Sequence, residues 1–340
     1  MLESYEAVDE NLVRVLPRLV GELGGNADGL LRRVGLSPRN FSRGNASPSY
    51  RQAIELIALA SAELACDDFG MRMAMAQFGT IRSPLSRVIE NAKTLGEALQ
   101  LVCTHSYAHS RAVAIWLRPS PSGETVTYGL DILLDGVPNR SQAMEQILLI
   151  VYRSICDVTG QRVRARRVTF RHEQVSEADV YRRFFGCDVK FGQQADAIIF
   201  SAADLDCPIF RQSDDDVQAA LATIERRFPV RQSPMHAKVR GILMNRLGAE
   251  KCDIADVAST LGCSIKKLSR MLSAEGTTFQ AIKNKMRSEI ARYYIEDTDL
   301  DFSIISERMG FAEQSALSHF CRKWLDGSPT ELRARERKSG

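Results

Sequence analysis

The sequence predicts two fold classes in one chain. The amino-terminal part is predicted to be α+β, with a small sheet and many helices, and the carboxy-terminal part all-α, with two helix-turn-helix motifs joined by a long helix. Three observations support this. Apolar residues recur at helical spacing through the first hundred residues, strand-like runs then alternate with helices, and a nine-residue pattern occurs twice after residue 250.

Length and composition narrow the class of protein. A chain of 340 residues is too long for one ordinary core, so we expect more than one domain. The longest apolar run, Ile147–Tyr152, is far shorter than a membrane span, and the acidic start lacks the features of a signal peptide. The eight cysteines form no Cys-x-x-Cys pair and are expected to be reduced. We therefore predict a cytoplasmic protein without membrane contact.

The first helices are predicted over "DENLVRVLPRLVGEL", "SYRQAIELIALASAEL" and "SPLSRVIENAKTLGEALQLVCTHSYAHS". The strand-like runs "AVAIWL" and "TVTYGLDILL" follow, and the turn-rich link "RPSPSGE" between them predicts a hairpin.

A long helix comes next, with Gly160 as its carboxy-terminal cap. One face of it is apolar: Met144, Ile147, Leu148, Val151, Ile155 and Val158. Strands are expected at "RVTF", "DVKF" and "AIIF", with a short helix at "EADVYRRFFG". The helix "DDDVQAALATIERRF" and the linker "PVRQSPMH" then separate the domains. The predicted divisions are 1–213, 214–235 and 236–340.

The repeated pattern is "IADVASTLG" (Ile254–Gly262) and "FSIISERMG" (Phe302–Gly310). Each copy predicts a short helix that ends at a glycine, and a second short helix follows, "SIKKLSRML" or "EQSALSHFCRKW". The small residues Ala258 and Ser306 allow the paired helices to approach closely. Each copy is therefore predicted to be a helix-turn-helix.

The run "TFQAIKNKMRSEIARYYIED" predicts a joining helix about 30 Å long, close to the roughly 34 Å between successive major-groove faces of B-DNA. Residues 236–340 contain 18 Lys and Arg against 14 Asp and Glu, a balance of +4, whereas the remainder contains 27 against 28. A basic module behind a near-neutral one is the pattern of a protein that binds a polyanion at one end. We predict double-stranded DNA as a partner.

The second copy, "ISERMGFAEQSALSHFCRKWLDGSPTELR", resembles the signature of the AraC/XylS family of bacterial transcription regulators. It departs from that signature at Ser306, Leu317, His319 and Cys321. Packing is expected to survive these changes, whereas base choice is expected to change at His319. Residues 1–213 resemble the family's arabinose-binding-like domain through "SPLSRVIENAKTLGEALQ" and "DVYRRFFGCDVKFGQQADAIIFSAADLDCPI".

The resemblance implies which side chains contact DNA. The second helix of each motif, "SIKKLSRML" or "EQSALSHFCRKW", would be the reading helix that enters the DNA groove. In the first reading helix Ile265, Leu268 and Leu272 would face the core. The residues implied to face the duplex are Lys266, Lys267, Ser269, Arg270, Gln314, Ser315, Ser318, His319, Arg322 and Lys323. Arginine can bond to guanine and glutamine to adenine by two hydrogen bonds, while Lys267, Arg322 and Lys323 suit phosphates.

The stretch "QRVRARRVTFR" (161–171) contains five arginines and no acid: Arg162, Arg164, Arg166, Arg167 and Arg171. Three interpretations stay open. The arginines could protect an edge strand from aggregation, meet an acidic partner such as a subunit or polymerase, or bind an anionic effector. Alternate residues of an extended chain point the same way, so Arg162, Arg164 and Arg166 are expected to share a side.

"RVRAR" also resembles the arginine arm of PilZ domains, which bind cyclic di-GMP, although the downstream PilZ strand motif is absent. We therefore take cyclic di-GMP as the candidate effector at these five arginines. An amino acid, sugar or lipid in an apolar pocket is the alternative. No cofactor or metal is expected, because His105 and His109 lack a third ligand nearby.

The leading hypothesis is a transcription regulator, not an enzyme. The resemblance implies an activator, a homodimer and contact with RNA polymerase. The helix Asp214–Phe228 and the amino-terminal domain are the candidate dimer surfaces. Two rivals remain: an enzyme domain fused to a DNA-binding module, and an architectural DNA protein that responds to no ligand.

Overall fold

The computed structural model describes residues 6, 8, 12–44, 48–79, 84–137, 139–209, 214–227, 233–245, 252–296, 298–311 and 313–336. The chain divides into two compact units, Met1–Gln232 and Ser233–Gly340. This division lies inside the segment 214–235, which was predicted to be helix and linker.

The first unit opens with helices. They are α1 (Leu16–Glu22), α2 (Ala27–Arg33), α3 (Pro38–Ser42), α4 (Tyr50–Glu63), α5 (Phe69–Gln77), α6 (Pro84–Asn91) and α7 (Leu95–Thr104). Local sequence starts several of them. Ser49 and Gln52 form a capping box at α4, and the Thr94 hydroxyl accepts the Glu97 N–H at α7.

One five-stranded sheet follows the helices. Its strands are β1 (Val113–Pro119), β2 (Thr125–Ile132), β3 (Arg167–Thr169), β4 (Asp188–Lys190) and β5 (Ala197–Ser201), in the order β1-β2-β5-β3-β4. The predicted hairpin is confirmed, since Val113 pairs with Ile132 and Pro119 with Val126. The β3–β4 pair is parallel and the other pairs are antiparallel. Gly129 is required on β2, because a Cβ there would collide with the Trp116 ring of β1.

Helix α8 (Ser141–Val158) packs against α4 and α5 and contributes to the main core. Its predicted apolar face is largely buried, with Val151 and Val158 half-buried. The predicted cap is confirmed: Gly160 has φ +57°, and the Gln161 N–H donates to the Cys156 carbonyl. The unit ends with α9 (Ala178–Phe185), a 3₁₀ turn (Ala202–Asp206) and α10 (Asp214–Arg227).

The second unit is all-α. Its helices are α11 (Met235–Asn245), α12 (Ile254–Thr260), α13 (Ile265–Ala274), α14 (Phe279–Glu296), α15 (Phe302–Arg308), α16 (Gln314–Trp324) and α17 (Pro329–Glu336). Two apolar cores form, one around α12 and α13 and one around α15 and α16. Helix α14 contributes to both, with Ile282 and Met286 in the first and Tyr294 and Ile295 in the second. The predicted α+β plus tandem helix-turn-helix architecture is confirmed.

Candidate nucleic-acid interface

The two helix-turn-helix motifs are built from the repeated nine-residue pattern. In each, the first helix ends at a glycine with positive φ, +63° at Gly262 and +69° at Gly310. The small residues at the contact are buried: Cys263 N–H donates to the Ala258 carbonyl, and the Ser306 hydroxyl donates to the Glu313 carbonyl at 2.8 Å. A hydroxyl at Ser306 therefore fits the turn, because it finds a backbone acceptor.

Helix α13 presents a polar face to solvent. The Ser264 hydroxyl caps the helix by accepting the Lys267 N–H at 3.2 Å. Leu268 and Leu272 are buried in the first core. The four residues predicted for DNA contact on this helix are all exposed: Lys266, Lys267, Ser269 and Arg270.

The predicted burial of Ile265 is wrong. It was expected to face the core with Leu268 and Leu272, but 46% of it is exposed. Ile265 is the first residue of α13, and the preceding turn of chain ends at Ser264 instead of covering it. The core position that the family resemblance implied for Ile265 is therefore wrong.

Helix α16 presents the corresponding face of the second motif. Leu317 and Cys321, two departures from the family signature, are both fully buried in the second core. The predicted contact residues Gln314, Ser315, His319, Arg322 and Lys323 are exposed, and Ser318 is half-buried. The Ser315 hydroxyl donates to a Glu313 carboxylate oxygen at 3.1 Å, which orients it at the start of the helix.

Helix α14 is attached to both motifs by polar contacts that the sequence did not suggest. Lys283 donates to the Cys252 carbonyl at 2.7 Å on the first side, and Arg287 donates to the Met309 carbonyl at 3.4 Å on the second. Arg287 also lies over the Phe311 ring. Burial lowers the pKa of Arg287. The pKa of Lys283 is lowered mainly by burial and also by the nearby positive charge of Arg287.

Further hydrogen bonds hold α14 near its middle and at its carboxy-terminal end. The buried Arg240 of α11 donates to Glu289 at 2.8 Å, and Arg333 of α17 donates to the Ile295 carbonyl at 3.0 Å. The 18 residues of α14 span about 27 Å. Both helix-turn-helix motifs are therefore attached to the same helix, α14. The length of α14 is similar to the distance between successive major-groove faces of B-DNA.

In the first unit the arginine stretch 161–171 alternates as predicted over its first half. Arg162, Arg164 and Arg166 are exposed, and the intervening Val163 and Ala165 are buried. Each of these three arginines donates to at least one neutral group. Arg162 donates to the Thr159 and Pro208 carbonyls, Arg164 to the Gln161 side chain, and Arg166 to the Ser201 hydroxyl at 3.4 Å.

The premise that no acid balances the stretch is wrong for its second half. Arg167 forms an ion pair with Asp188 at 2.8 Å. Arg171 donates to Asp131 at 2.7 Å and to Asp196 at 3.3 Å, and its own side chain is only 17% exposed. The balancing carboxylates come from β2, β4 and the loop before β5. Arg171 therefore pairs with two buried carboxylates of the first unit.

A buried polar cluster in the first unit was missed by sequence analysis. The Tyr181 hydroxyl donates to Glu145 Oε1, and His172 Nε2 lies 3.8 Å from the same oxygen. Burial raises the pKa of Glu145 to about 8, against the lowering effect of the Tyr181 hydrogen bond. Burial lowers the pKa of His172 to about 4, against the raising effect of Asp196. Glu145 and His172 are therefore both neutral near pH 7.

Helix α10, predicted as one candidate dimer surface, has its apolar face occupied within the chain. Ala220 and Ile224 of this helix pack with Leu85 of α6. Among the residues that the structure describes, no helix is long and apolar enough to cross a membrane. No cluster of three or more His, Cys, Asp or Glu side chains suited to a metal ion occurs within those same ranges.

Comparison with known proteins matches both units to families. Residues 24–209 match the amino-terminal arabinose-binding domain of AraC transcription regulators, and residues 257–335 match a helix-turn-helix domain. The chain is 28% identical over 316 residues to the HTH-type transcriptional regulator VirS of Mycobacterium tuberculosis, covering 93% of each protein. It is 22% identical over 352 residues to an ornithine utilization regulator of Pseudomonas aeruginosa, covering 97% of each.

A solved structure also matches along most of the chain. The transcriptional regulator CdpR of Pseudomonas aeruginosa is 20% identical, with a TM-score of 0.42 over 91% of this chain and 96% of its own. The two matched domains, and the relatives matched over most of the chain, are those of transcription regulators and not of enzymes.

Proposed function

The chain belongs to the AraC family of DNA-binding transcription regulators, with an amino-terminal ligand-binding domain, and from this premise we propose how it reads DNA and what controls it. Helices α13 and α16 enter successive major grooves on one side of a duplex. The observation that carries this proposal is the attachment of both motifs to α14, which is fastened on both sides by buried side chains and hydrogen bonds.

The exposed side chains of the two helices divide by chemistry. Arg270 of α13 suits guanine, and Gln314 of α16 suits adenine, because each can form two hydrogen bonds to one base edge. Ser269, Ser315 and Ser318 suit either base type. Lys267, Arg322 and Lys323 suit phosphates, which set the register of the protein on the duplex. Since binding then depends on phosphate contacts, affinity falls as salt rises.

Selection of duplexes from a random pool by the full-length protein tests this proposal. Gel retardation of the selected duplex should show Arg270→Ala binding about 5- to 150-fold more weakly, since a bidentate base contact is worth about 1–3 kcal/mol. Arg18→Ala is the matched control, because Arg18 is exposed in the other unit and pairs with Glu22 one turn away. Unselective binding, or equal loss in the two variants, would contradict base reading by α13.

Activation of promoters as a homodimer in contact with RNA polymerase is the further role that we propose. Its support is the family resemblance. An effector that binds one dimer arrangement more tightly shifts the population toward that arrangement. Two DNA-binding units then engage two half-sites together, which raises effective concentration without changing any base contact.

For the effector, we propose an anionic ligand of the cyclic di-GMP class at the arginine stretch. Three exposed guanidinium groups support it, those of Arg162, Arg164 and Arg166. Arg164 donates to an amide oxygen and Arg166 to a hydroxyl, and neither of these partners carries charge. Guanidinium groups bind phosphate by paired hydrogen bonds and stack on purines. Arg167 and Arg171 belong to the same stretch but already form ion pairs with carboxylates, so the proposal depends less on them.

Titration calorimetry with cyclic di-GMP tests the effector proposal. We expect saturable heat at micromolar ligand with the full-length protein and at least about tenfold weaker binding in Arg166→Ala, because charge-assisted bonds to phosphate are lost. Arg182→Ala, on the exposed face of α9, removes the same charge elsewhere and should leave binding unchanged. Absence of heat at tens of micromolar ligand, or unchanged binding in Arg166→Ala, ends the proposal.

An amino-acid effector is the second candidate, because one relative over nearly the full chain is named for ornithine utilization. A thermal-shift screen of cyclic di-GMP, ornithine, other amino acids and sugars separates the candidates. Stabilisation follows RT ln(1 + [L]/Kd), so a micromolar ligand is visible at millimolar concentration.

A further inference from the structure

Ile265 is an exposed aliphatic side chain on the helix that reads DNA. With 46% of its surface exposed, it is the most accessible of the large apolar residues among those that the structure describes. Its neighbours along α13, Lys266, Lys267, Ser269 and Arg270, are all exposed and polar. An apolar group in this setting gains free energy only when a partner removes it from water.

The tandem repeat identifies the position that Ile265 occupies. Leu268 of α13 and Leu317 of α16 are the fully buried residues that pack each reading helix, and they are equivalent. Counting back three residues from each, Ile265 corresponds to Gln314. Both are the first residue of their helix. The amino-terminal residues of a reading helix are those that contact base edges.

The two equivalent positions therefore carry opposite chemistry. Gln314 can form hydrogen bonds, whereas Ile265 offers only methyl and methylene groups. In the major groove the C5-methyl group of thymine is the apolar feature, and it distinguishes thymine from the other bases. An aliphatic side chain at the start of α13 is thus matched to that methyl group.

We propose that Ile265 is a specificity-determining residue that contacts the C5-methyl of one thymine in the half-site read by α13. This inference rests on the proposed function, since it requires α13 to lie in the major groove. It also implies that the two half-sites are chemically different, because the first turn of α13 selects a methyl group and the first turn of α16 selects a hydrogen-bonding edge.

Replacement of single thymines by deoxyuridine tests the proposed contact with one methyl group. Each thymine of a duplex selected by the full-length protein is replaced singly by deoxyuridine, which removes the methyl group and keeps the base pair. At one thymine of the α13 half-site we expect binding to weaken about fourfold, the equivalent of about 0.8 kcal/mol for one buried carbon. Ile265→Ala should bind the thymine and deoxyuridine duplexes equally.

Ile304→Ala is the matched control, because Ile304 is the other exposed isoleucine of this unit that the structure describes and lies on α15. It should keep the fourfold preference for thymine. Since Ile265 is not part of the core, its alanine variant is expected to fold normally, which circular dichroism checks. If no single deoxyuridine weakens binding, or if Ile265→Ala keeps the preference, the inference is overturned while the proposed function stands. If no duplex is selected at all, the proposed function itself fails.

Discussion

Arg171→Ala is expected to destabilise the first unit by about 3–5 kcal/mol, the usual cost of removing one partner from a buried ion pair. Arg171 bonds to both Asp131 and Asp196, whose side chains are only 2% and 7% exposed. Without the guanidinium group, two buried carboxylates lose their counter-charge. Asp131 also accepts the indole N–H of Trp116 at 2.8 Å, so the loss extends to β1.

Urea unfolding followed by Trp116 fluorescence measures this effect. The two tryptophans of the chain, Trp116 and Trp324, lie in different units, so a Trp324→Phe background reports on the first unit alone. Arg167→Ala is the matched control. Arg167 and Asp188 are 52% and 42% exposed, and an exposed pair contributes less than about 1 kcal/mol. Equal destabilisation by the two substitutions would contradict the structural role of Arg171.

Glu145→Gln is expected to remove a pH dependence of stability above neutral pH. The pKa of Glu145 is about 8 in the folded protein, against an ordinary value of 4.5, because the carboxyl group is buried. A carboxyl with a raised pKa takes up a proton on folding. Its contribution to stability is therefore complete below pH 4.5 and is lost as the pH rises to about 8.

His172 sets the lower limit of the pH interval in which Glu145 alone changes the stability. Its pKa is lowered by burial from 6.5 to about 4, so its contribution has the opposite sign and is lost as the pH falls from 6.5 to about 4. Below pH 6.5 the two groups oppose each other. Between pH 6.5 and 8 only Glu145 acts, and the wild-type protein should lose about 1.4 kcal/mol per pH unit.

Unfolding of wild type and Glu145→Gln at pH 6.5 and 8.5, with the same Trp116 readout, tests this expectation. Glutamine keeps an oxygen that can accept from Tyr181, but it does not titrate. We expect the wild-type protein to lose about 2 kcal/mol relative to the variant across this interval. Parallel curves for the two proteins would show that Glu145 is already ionised in the folded state.

The features of the fold that were predicted well from sequence depend on residues that lie close together along the chain. Both helix-turn-helix motifs depend on a glycine stop and a leucine within about ten residues of each other, so their pattern is complete in a short window. The hairpin of β1 and β2 is likewise defined by its own turn. Gly160 ends α8 through contacts with the preceding turn alone.

The features that sequence did not predict depend on residues far apart. Arg171 meets Asp131 and Asp196 across 40 and 25 residues, so the stretch 161–171 contains neither of its partners. Glu145 is buried by chain segments that follow it by more than 25 residues, those of His172 and Tyr181. The core position implied for Ile265 is wrong for a different reason, because the family motif does not show that this first residue of α13 is exposed.

Hydroxyl-radical footprinting of the full-length protein on its selected duplex tests most directly that one chain reads two neighbouring grooves. We expect two protected patches on one face of the duplex, about 10 base pairs apart. Arg270→Ala should reduce protection of one patch and Gln314→Ala that of the other. A single protected patch, or loss at the same patch in both variants, would contradict reading of two grooves by α13 and α16.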